Sequence, residues 1–315
     1  MKRCLYCYQD LDSAGDYHEA CSKKFFGKKL APDFPYTEDQ LVELAKRIIQ
    51  SQIAVTGVQA KLSLNVEKQN DKNNPTKFTI VGLWGGYILK LPSSVYPELP
   101  ELEDATMHLA DLFSMQTVPH SLFRLQSGKL AYLTKRVDRT DDGKKIHMED
   151  MCQLTERLTE HKYRGSYEQI GKAIIKYSAW PGLDIVNFLE RLVFCFLTGN
   201  ADMHLKNFSL THHLGFSLCP AYDLVPTALV VKEDEEQLAL TLNGKKNRIK
   251  MEDFSAFAQQ FKIDLKVLNY VYKKAQSTLP RWNNFIDASF LTGETKARYI
   301  ELIRNRMTQL QLIES

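Results

Sequence analysis

A long apolar segment in the second half of the chain constrains the fold most. The run DIVNFLERLVFCFLTGN is apolar on nearly every side from Phe188 to Leu197, and a helix with that pattern is buried in a core. No run in the chain reaches the ~18 apolar residues that a membrane span requires. We therefore expect this segment to be the central helix of a helical lobe, and we expect no membrane partner.

Short runs typical of β-strands precede the helical part of the chain. Between about residues 52 and 92 they read QIAVTG, KLSLNV, KFTIVGL and YILKLP. Beyond Pro100 the apolar residues recur three and four apart, as in helices. This order predicts an α+β fold with a small antiparallel-sheet N-lobe and a larger helical C-lobe. We divide the chain into a Cys/His segment at 1–30, the N-lobe at 31–136 and the C-lobe at 137–315.

Composition narrows the class of protein. The 315 residues carry a net charge of only +3, which argues against a surface that binds nucleic acid directly. The N-terminus, MKRCLYCYQDLD, lacks the apolar stretch of a secretory signal, so we expect a cytoplasmic protein. In that reducing compartment the six cysteines are expected to be thiols or metal ligands rather than a disulfide framework.

Four potential metal ligands lie close together near the N-terminus. Cys4, Cys7, His18 and Cys21 have the spacing C-x₂-C-x₁₀-H-x₂-C, and three thiolates with one imidazole suit a structural Zn²⁺ site. Such a site would staple a segment that has little core of its own. The alternative is that the cysteines are unrelated residues around a turn, with His18 in solvent.

Three acidic and amide residues follow the apolar helix in an order typical of protein kinases. Asp202 and Asn207 stand five apart in NADMHLKN, and Asp223 follows in PAYDLVP after two short strand-like runs. In kinases the first Asp accepts the substrate hydroxyl proton, and the Asn and the second Asp bind Mg²⁺. Magnesium prefers such hard oxygen ligands. The alternative is a loop capped by polar side chains.

A lysine at the end of an apolar run completes this pattern. Lys90 in GGYILKLP resembles the kinase lysine that contacts ATP phosphates and pairs with a helix glutamate. Glu101 and Glu103 are the candidate partners, and Glu103 is favoured because it lies further into the helix. Gly57 and Gln59 precede Lys90 in AVTGVQAKLSL, where the backbone of one glycine turn can face a phosphate. The alternatives are an exposed lysine and an ordinary turn.

These motifs together resemble one family, the HipA-like toxin kinases of bacterial toxin–antitoxin systems. The matching segments follow the family order: GVQAKLS, YILKLP, KRVDR, HMEDMCQ, TGNADMHLKNFSL, PAYDL and ALTLNGKK. The resemblance implies a two-lobed Ser/Thr protein kinase fold that uses ATP and Mg²⁺. It implies contact of Lys90 with ATP, a catalytic role for Asp202, and Mg²⁺ binding by Asn207 and Asp223.

The same resemblance adds residues around the nucleotide and a regulatory loop. Lys135 and Val137 are expected in the connection that borders adenine. His204 is expected near the phosphates, and its alternative role is to anchor the loop through a hydrogen bond. The family phosphorylates a Ser just ahead of the G-x-Q sequence. Ala54 stands at that position here, so autophosphorylation is lost, replaced, or moved to Thr56 or Ser51. Of these we predict Thr56.

The resemblance also predicts partners. The known targets of the HipA-like family are aminoacyl-tRNA synthetases, whose phosphorylation stalls translation. We therefore expect a synthetase as protein substrate, together with an antitoxin that is a DNA-binding protein, a small protein equivalent to the family's N-terminal subdomain, or both. The alternative is a non-catalytic module with the kinase fold that serves as a binding partner in a repressor complex.

Overall fold

The structure is a computed structural model. It describes residues 2–12, 14–41, 43–44, 61–67, 76–81, 85–140, 142–231 and 236–314. The predicted phosphate-loop residues Gly57 and Gln59 and the predicted phosphorylation site Thr56 lie outside the described residues. Residues 38–41 are helical, and Thr37 and Gln40 form the reciprocal hydrogen bonds of a capping box.

The chain divides into two compact units. The first comprises Met1–Asp104 and Val118–Lys145, and the second comprises Ala105–Thr117 and Ile146–Ser315. The chain passes from one to the other within a single helix, α2 (Leu99–Leu112). The division into 1–30, 31–136 and 137–315 stays a prediction.

A five-stranded antiparallel sheet forms the centre of the first unit. Its strand order is β2-β1-β3-β5-β4, and its strands are β1 (Lys61–Val66), β2 (Phe78–Val81), β3 (Tyr87–Lys90), β4 (His120–Arg124) and β5 (Leu130–Lys135). β3 lies in the middle, where Lys90 is opposite Lys61 of β1 and Tyr132 of β5. The strands predicted in KLSLNV, KFTIVGL and YILKLP are therefore confirmed.

Aromatic side chains pack the N-terminal segment against this sheet. Phe25 and Phe26 end the first helix, α1 (Glu19–Phe26). Both rings contact Tyr87 of β3, with ring centroids 5.9 and 6.4 Å away. Phe26 also meets Phe78 at 6.0 Å and Phe123 at 6.5 Å. This apolar contact holds α1 on strands that the chain reaches only much later.

The second unit is mainly helical. Its helices beyond α2 are α3 (Met151–Leu154), α4 (Tyr167–Tyr177), α5 (Pro181–Leu197), α6 (Thr227–Val230), α7 (Met251–Gln260), α8 (Leu265–Ala288) and α9 (Gly293–Gln309). A small antiparallel sheet has the order β6-β7-β8, with strands β6 (Met148–Asp150), β7 (Ser209–His212) and β8 (Phe216–Leu218). The two short strand-like runs expected ahead of Asp223 are β7 and β8, which pair antiparallel.

Helix α5 is the buried helix that the sequence predicts. It begins at Pro181, which suits a first helical position, and every residue from Arg191 to Leu197 is buried. Arg191 is the charged exception within this stretch, and its guanidinium donates to the carbonyl oxygen of Cys219 at 2.6 Å. Among the described residues, no helix combines the length and the apolar character needed to cross a bilayer.

Gly199 ends the turn after α5 in a conformation that suits glycine. Its φ is +70°, and a Cβ there would lie 2.6 Å from the Leu302 side chain. We predict that Gly199→Ala lowers the free energy of unfolding by about 1–3 kcal/mol. Gly182→Ala is the control, because a Cβ at Gly182 meets nothing within 4 Å. Urea denaturation of both variants checks this, and equal losses at the two positions would contradict it.

Candidate active site

Lys90 lies at the end of β3 and is almost completely buried. Its Nζ donates to Oε1 of Glu103 at 2.5 Å, and the two side chains are 6% and 0% exposed. Glu103 is the partner that the sequence favours over Glu101. Nζ also lies 5.4 Å from the ring centroid of Tyr132. Because two buried charges are tolerated only when they are paired, this contact fixes α2 relative to the central strand of the sheet.

Asp104, the residue after Glu103, is held by contacts on both of its carboxylate oxygens. One carboxylate oxygen of Asp104 lies 2.7 Å from Nδ1 of His120 on β4, and the other accepts from the hydroxyl of Tyr8 at 2.6 Å. All three side chains are buried. Sequence reasoning missed this network, because no motif relates Tyr8 to a helix almost a hundred residues later. It orients the turn of α2 that carries Glu103.

We predict that Lys90→Met lowers the free energy of unfolding by about 3–5 kcal/mol, because it leaves the Glu103 carboxylate buried without its ammonium partner. The double variant Lys90→Met/Glu103→Leu should recover much of this loss. Urea denaturation of both variants measures the effect.

Lys129→Met is the matched control for that experiment. Lys129 pairs with Glu38 at 2.6 Å, but its side chain is 62% exposed, so the loss should be much smaller than at Lys90. A loss at Lys90 no larger than at Lys129, or a double variant weaker than Lys90→Met, would contradict the prediction.

Glu101 lies in the first turn of α2 and carries a shifted pKa. Burial, with the neighbouring charges of Glu98 and Asp104, raises the pKa of its carboxyl from 4.5 to about 7. The folded state therefore binds a proton more tightly than the unfolded state does. The contribution of the Glu101 carboxyl to the free energy of unfolding is complete below pH 4.5 and is lost as the pH rises towards 7.

We predict that Glu101→Gln abolishes this loss. The variant should gain stability relative to the original protein between pH 4.5 and 7, by at most about 3 kcal/mol. Urea denaturation across this pH range measures the difference. The exposed glutamate of α9, Glu301, supplies the control Glu301→Gln, and the same pH profile for both variants would refute the prediction.

The loop after α5 has a conformation set by its own hydrogen bonds. The Asn200 side chain accepts from the backbone N–H of Asp202 at 3.1 Å. The carbonyl oxygen of Asp202 accepts from the backbone N–H of His204 at 2.8 Å and from the amide Nδ2 of Asn207 at 3.0 Å. Asp202 Oδ1 accepts from the hydroxyl of Tyr163 at 2.6 Å. The loop thus presents the Asp202 carboxylate in a fixed position.

Asn207 and Asp223 belong to neighbouring parts of the second unit. The Asn207 side chain uses its nitrogen within the loop, so its oxygen is the atom left for a cation. Tyr222, which precedes Asp223, donates to the carbonyl oxygen of Lys206, which precedes Asn207, at 3.0 Å. Asp223 itself has a φ of +61°, in the left-handed region. The two candidate ligands are therefore held on adjoining segments.

His204 lies beside these carboxylates. It is 5% exposed, and burial lowers its pKa, although the charges of Asp202 and Asp223 act in the opposite direction. Its ring contacts Tyr163 edge to face, with centroids 4.9 Å apart. Its Nδ1 has no hydrogen-bond partner within the described part of the chain. A buried nitrogen of this kind suits a polar ligand better than a loop anchor.

The remaining predicted residues fall at separate places. Lys135 ends β5, and its backbone N–H donates to the carbonyl oxygen of Pro119 at 2.9 Å. Val137 follows, half-buried, between the ion-paired Arg136 and Asp138. Their contact with a nucleotide stays a prediction. Tyr163 is a site residue that sequence reasoning missed, since nothing in TEHKYRG marks it as a partner of Asp202.

Comparison with known proteins identifies the family. The family model of the HipA-like C-terminal domain matches residues 53–282. The chain belongs to this family. The matched range contains Lys90, Glu103, Asp202, Asn207 and Asp223, so the candidate site falls within the family's domain.

Relatives of this family member are named as kinases. A protein of Sinorhizobium fredii named putative kinase Y4dM is 32% identical over 266 residues, which cover 79% of this chain and 62% of the relative. A putative kinase of Haemophilus influenzae is 27% identical over 226 residues, which cover 68% of this chain and 62% of the relative. The chain thus spans about three fifths of the length of these relatives.

Solved structures share the fold. HipA of Shewanella oneidensis, in a toxin–antitoxin complex with HipB and operator DNA, superposes with a TM-score of 0.69 at 21% identity, covering 85% of this chain and 71% of that chain. The Helicobacter pylori proinflammatory kinase CtkA superposes with a TM-score of 0.53 at 14% identity, covering 79% of this chain and 93% of that chain. The α+β, kinase-like fold predicted from the sequence is confirmed.

Proposed function

We propose that this HipA-family protein is an ATP- and Mg²⁺-dependent Ser/Thr protein kinase. The observation that carries the proposal is the loop at 200–207, in which Tyr163 holds the half-buried Asp202 carboxylate and the side-chain nitrogen of Asn207 donates to the Asp202 carbonyl oxygen. The buried pair of Lys90 and Glu103 supports it from the first unit, because kinases need this lysine–glutamate pair in place for activity.

Each residue has a distinct task in this proposal. Asp202 accepts the proton of the substrate hydroxyl and orients that hydroxyl, while Tyr163 holds the carboxylate in position. Lys90 positions the ATP phosphates, and Glu103 keeps its ammonium from turning away. Since phosphoryl transfer requires little covalent chemistry from the protein, positioning and charge stabilisation supply most of the rate.

The residues present fit a magnesium ion. Asn207 offers an amide oxygen and Asp223 a carboxylate, which are the hard ligands that Mg²⁺ prefers. The Nδ1 of His204, which has no hydrogen-bond partner among the described residues, adds a buried polar atom near Asp202 and Asp223. Bound Mg²⁺ would neutralise charge on the phosphate oxygens, and the protein would contribute the two oxygen ligands.

The proposal extends to the role in the cell. The solved HipA of Shewanella oneidensis belongs to a toxin–antitoxin system and is in complex with HipB and operator DNA, which supports an equivalent antitoxin partner for this chain. We propose that the protein acts as the kinase toxin of such a system. Its substrate is then a protein hydroxyl, for which we propose an aminoacyl-tRNA synthetase in the cytoplasm, and Thr56 remains the proposed autophosphorylation site.

Calorimetric titration with Mg-ATP and a transfer assay with γ-labelled ATP test this function. We predict that Asp223→Ala weakens Mg-ATP binding by at least the roughly 10- to 100-fold that follows loss of an outer partner of a metal site. Asp202→Asn should retain nucleotide binding but lower phosphoryl transfer by about 100-fold or more.

Asp287→Ala is the control, because Asp287 is an exposed carboxylate on α8. It should leave binding and transfer unchanged. If the original protein binds no Mg-ATP, the kinase proposal fails and the non-catalytic binding module replaces it. If Asp202→Asn loses no activity, the proposed role of Asp202 fails.

A further inference from the structure

Three thiols and one imidazole, none of which the kinase proposal uses, converge near the N-terminus. One ligand atom from each of Cys4, Cys7, His18 and Cys21 lies within 4.8 Å of all the others. The Nδ1 of His18 is 3.4 Å from the sulfur of Cys7 and 3.8 Å from that of Cys21. Sulfur and nitrogen ligands of a tetrahedral zinc ion stand about 3.6 Å apart, given the usual bond lengths.

The backbone folds the first two ligands towards each other. The N–H of Tyr8 donates to the carbonyl oxygen of Cys4 at 2.9 Å, and the N–H of Cys4 donates to that of Gln9 at 2.9 Å. Tyr8 has a φ of +64°, which turns the chain sharply after Cys7. This tight turn brings the sulfurs of Cys4 and Cys7 into one cluster, and both are free thiols rather than a disulfide.

The other two ligands are aligned by α1 and by a carbonyl group. His18 caps α1 and Cys21 lies in its first turn. Nε2 of His18 is 2.9 Å from the carbonyl oxygen of Asp10, and a carbonyl can only accept a hydrogen bond. The neutral ring therefore carries its proton on Nε2, which leaves the lone pair of Nδ1 facing the thiols. Histidine ligands of metal ions are commonly oriented in this way.

We propose that Cys4, Cys7, His18 and Cys21 bind one structural Zn²⁺ ion. Three sulfur ligands and one nitrogen ligand complete a tetrahedral shell. A shell closed by four protein ligands has no position for substrate or water, so the ion stabilises the fold and takes no part in phosphoryl transfer.

The metal would fasten a segment that reaches the lysine–glutamate pair. Tyr8 follows the ligand Cys7 directly, and its hydroxyl donates to Asp104 at 2.6 Å, next to Glu103. Tyr17 precedes the ligand His18, and its hydroxyl donates to the carbonyl oxygen of Leu122 on β4 at 2.6 Å. The zinc ion thereby fixes both anchors that join the N-terminal segment to α2 and to the sheet.

Metal analysis of the purified full chain tests the proposal. We predict about one zinc per chain after exhaustive dialysis against metal-free buffer, and at least about a tenfold lower content in Cys21→Ser. Cys152→Ser is the matched control, because Cys152 is a thiol of the second unit outside the cluster, and its zinc content should equal that of the original protein. Equal zinc in Cys21→Ser and in the control would overturn the proposal.

Cobalt substitution of the original protein tests the coordination without any variant. Co²⁺ bound in place of zinc should give the intense visible bands of tetrahedral coordination and a thiolate charge-transfer band. Chelation should then make Cys7 and Cys21 reactive towards a thiol reagent. Octahedral cobalt spectra, absence of zinc after refolding with zinc chloride, or a disulfide within the cluster would each overturn the proposal.

Discussion

A lysine ammonium withdrawn from water needs a carboxylate at hydrogen-bonding distance, and the first unit is arranged to supply one. Lys90 sits at the end of the central strand β3, and Glu103 reaches it from α2. Separating two such buried charges is costly, so α2 has one favourable position relative to the sheet. In the proposed kinase, the same contact is the lysine–glutamate pair that a kinase needs in place for activity.

The residue that follows Glu103 explains why the N-terminal segment matters to this contact. Asp104 is bound on both carboxylate oxygens, by His120 of β4 and by Tyr8. A strand, a helix and the N-terminal segment that carries the Cys/His cluster therefore meet around one buried carboxylate. We infer that the cluster supports the geometry of Lys90 and Glu103 indirectly, through the turn of α2 that Asp104 orients.

Local patterns in the sequence were sufficient for most of the fold. The apolar run of α5 and the short strands β1, β2 and β3 have clear periodicity, and the kinase-like spacing of Asp202 and Asn207 lies within one loop. Strand β4 was missed because it begins with His120 and Ser121, polar residues that are buried only because Asp104 and backbone carbonyls accept their hydrogen bonds.

Contacts between distant parts of the sequence could not be predicted in the same way. Tyr163 reaches Asp202 across 39 residues, and Tyr8 reaches Asp104 across 96. A tyrosine hydroxyl donates in the same way to any buried carboxylate, so nothing in the local sequence selects its partner. The sequence favours Glu103 over Glu101 as the partner of Lys90 from its position in the helix alone, and the structure shows why that position determines the partner. Glu103 is fully buried against Lys90, whereas burial and the nearby charges of Glu98 and Asp104 raise the pKa of Glu101.

A crystal structure with Mn²⁺ and a non-hydrolysable ATP analogue tests the central claim most directly, since the anomalous signal of manganese locates the metal independently of the nucleotide. The account predicts manganese on the oxygens of Asn207 and Asp223, with the phosphates of the same nucleotide within hydrogen-bonding distance of Lys90 Nζ. Manganese on other ligands, or a nucleotide whose phosphates do not reach Lys90, would contradict it.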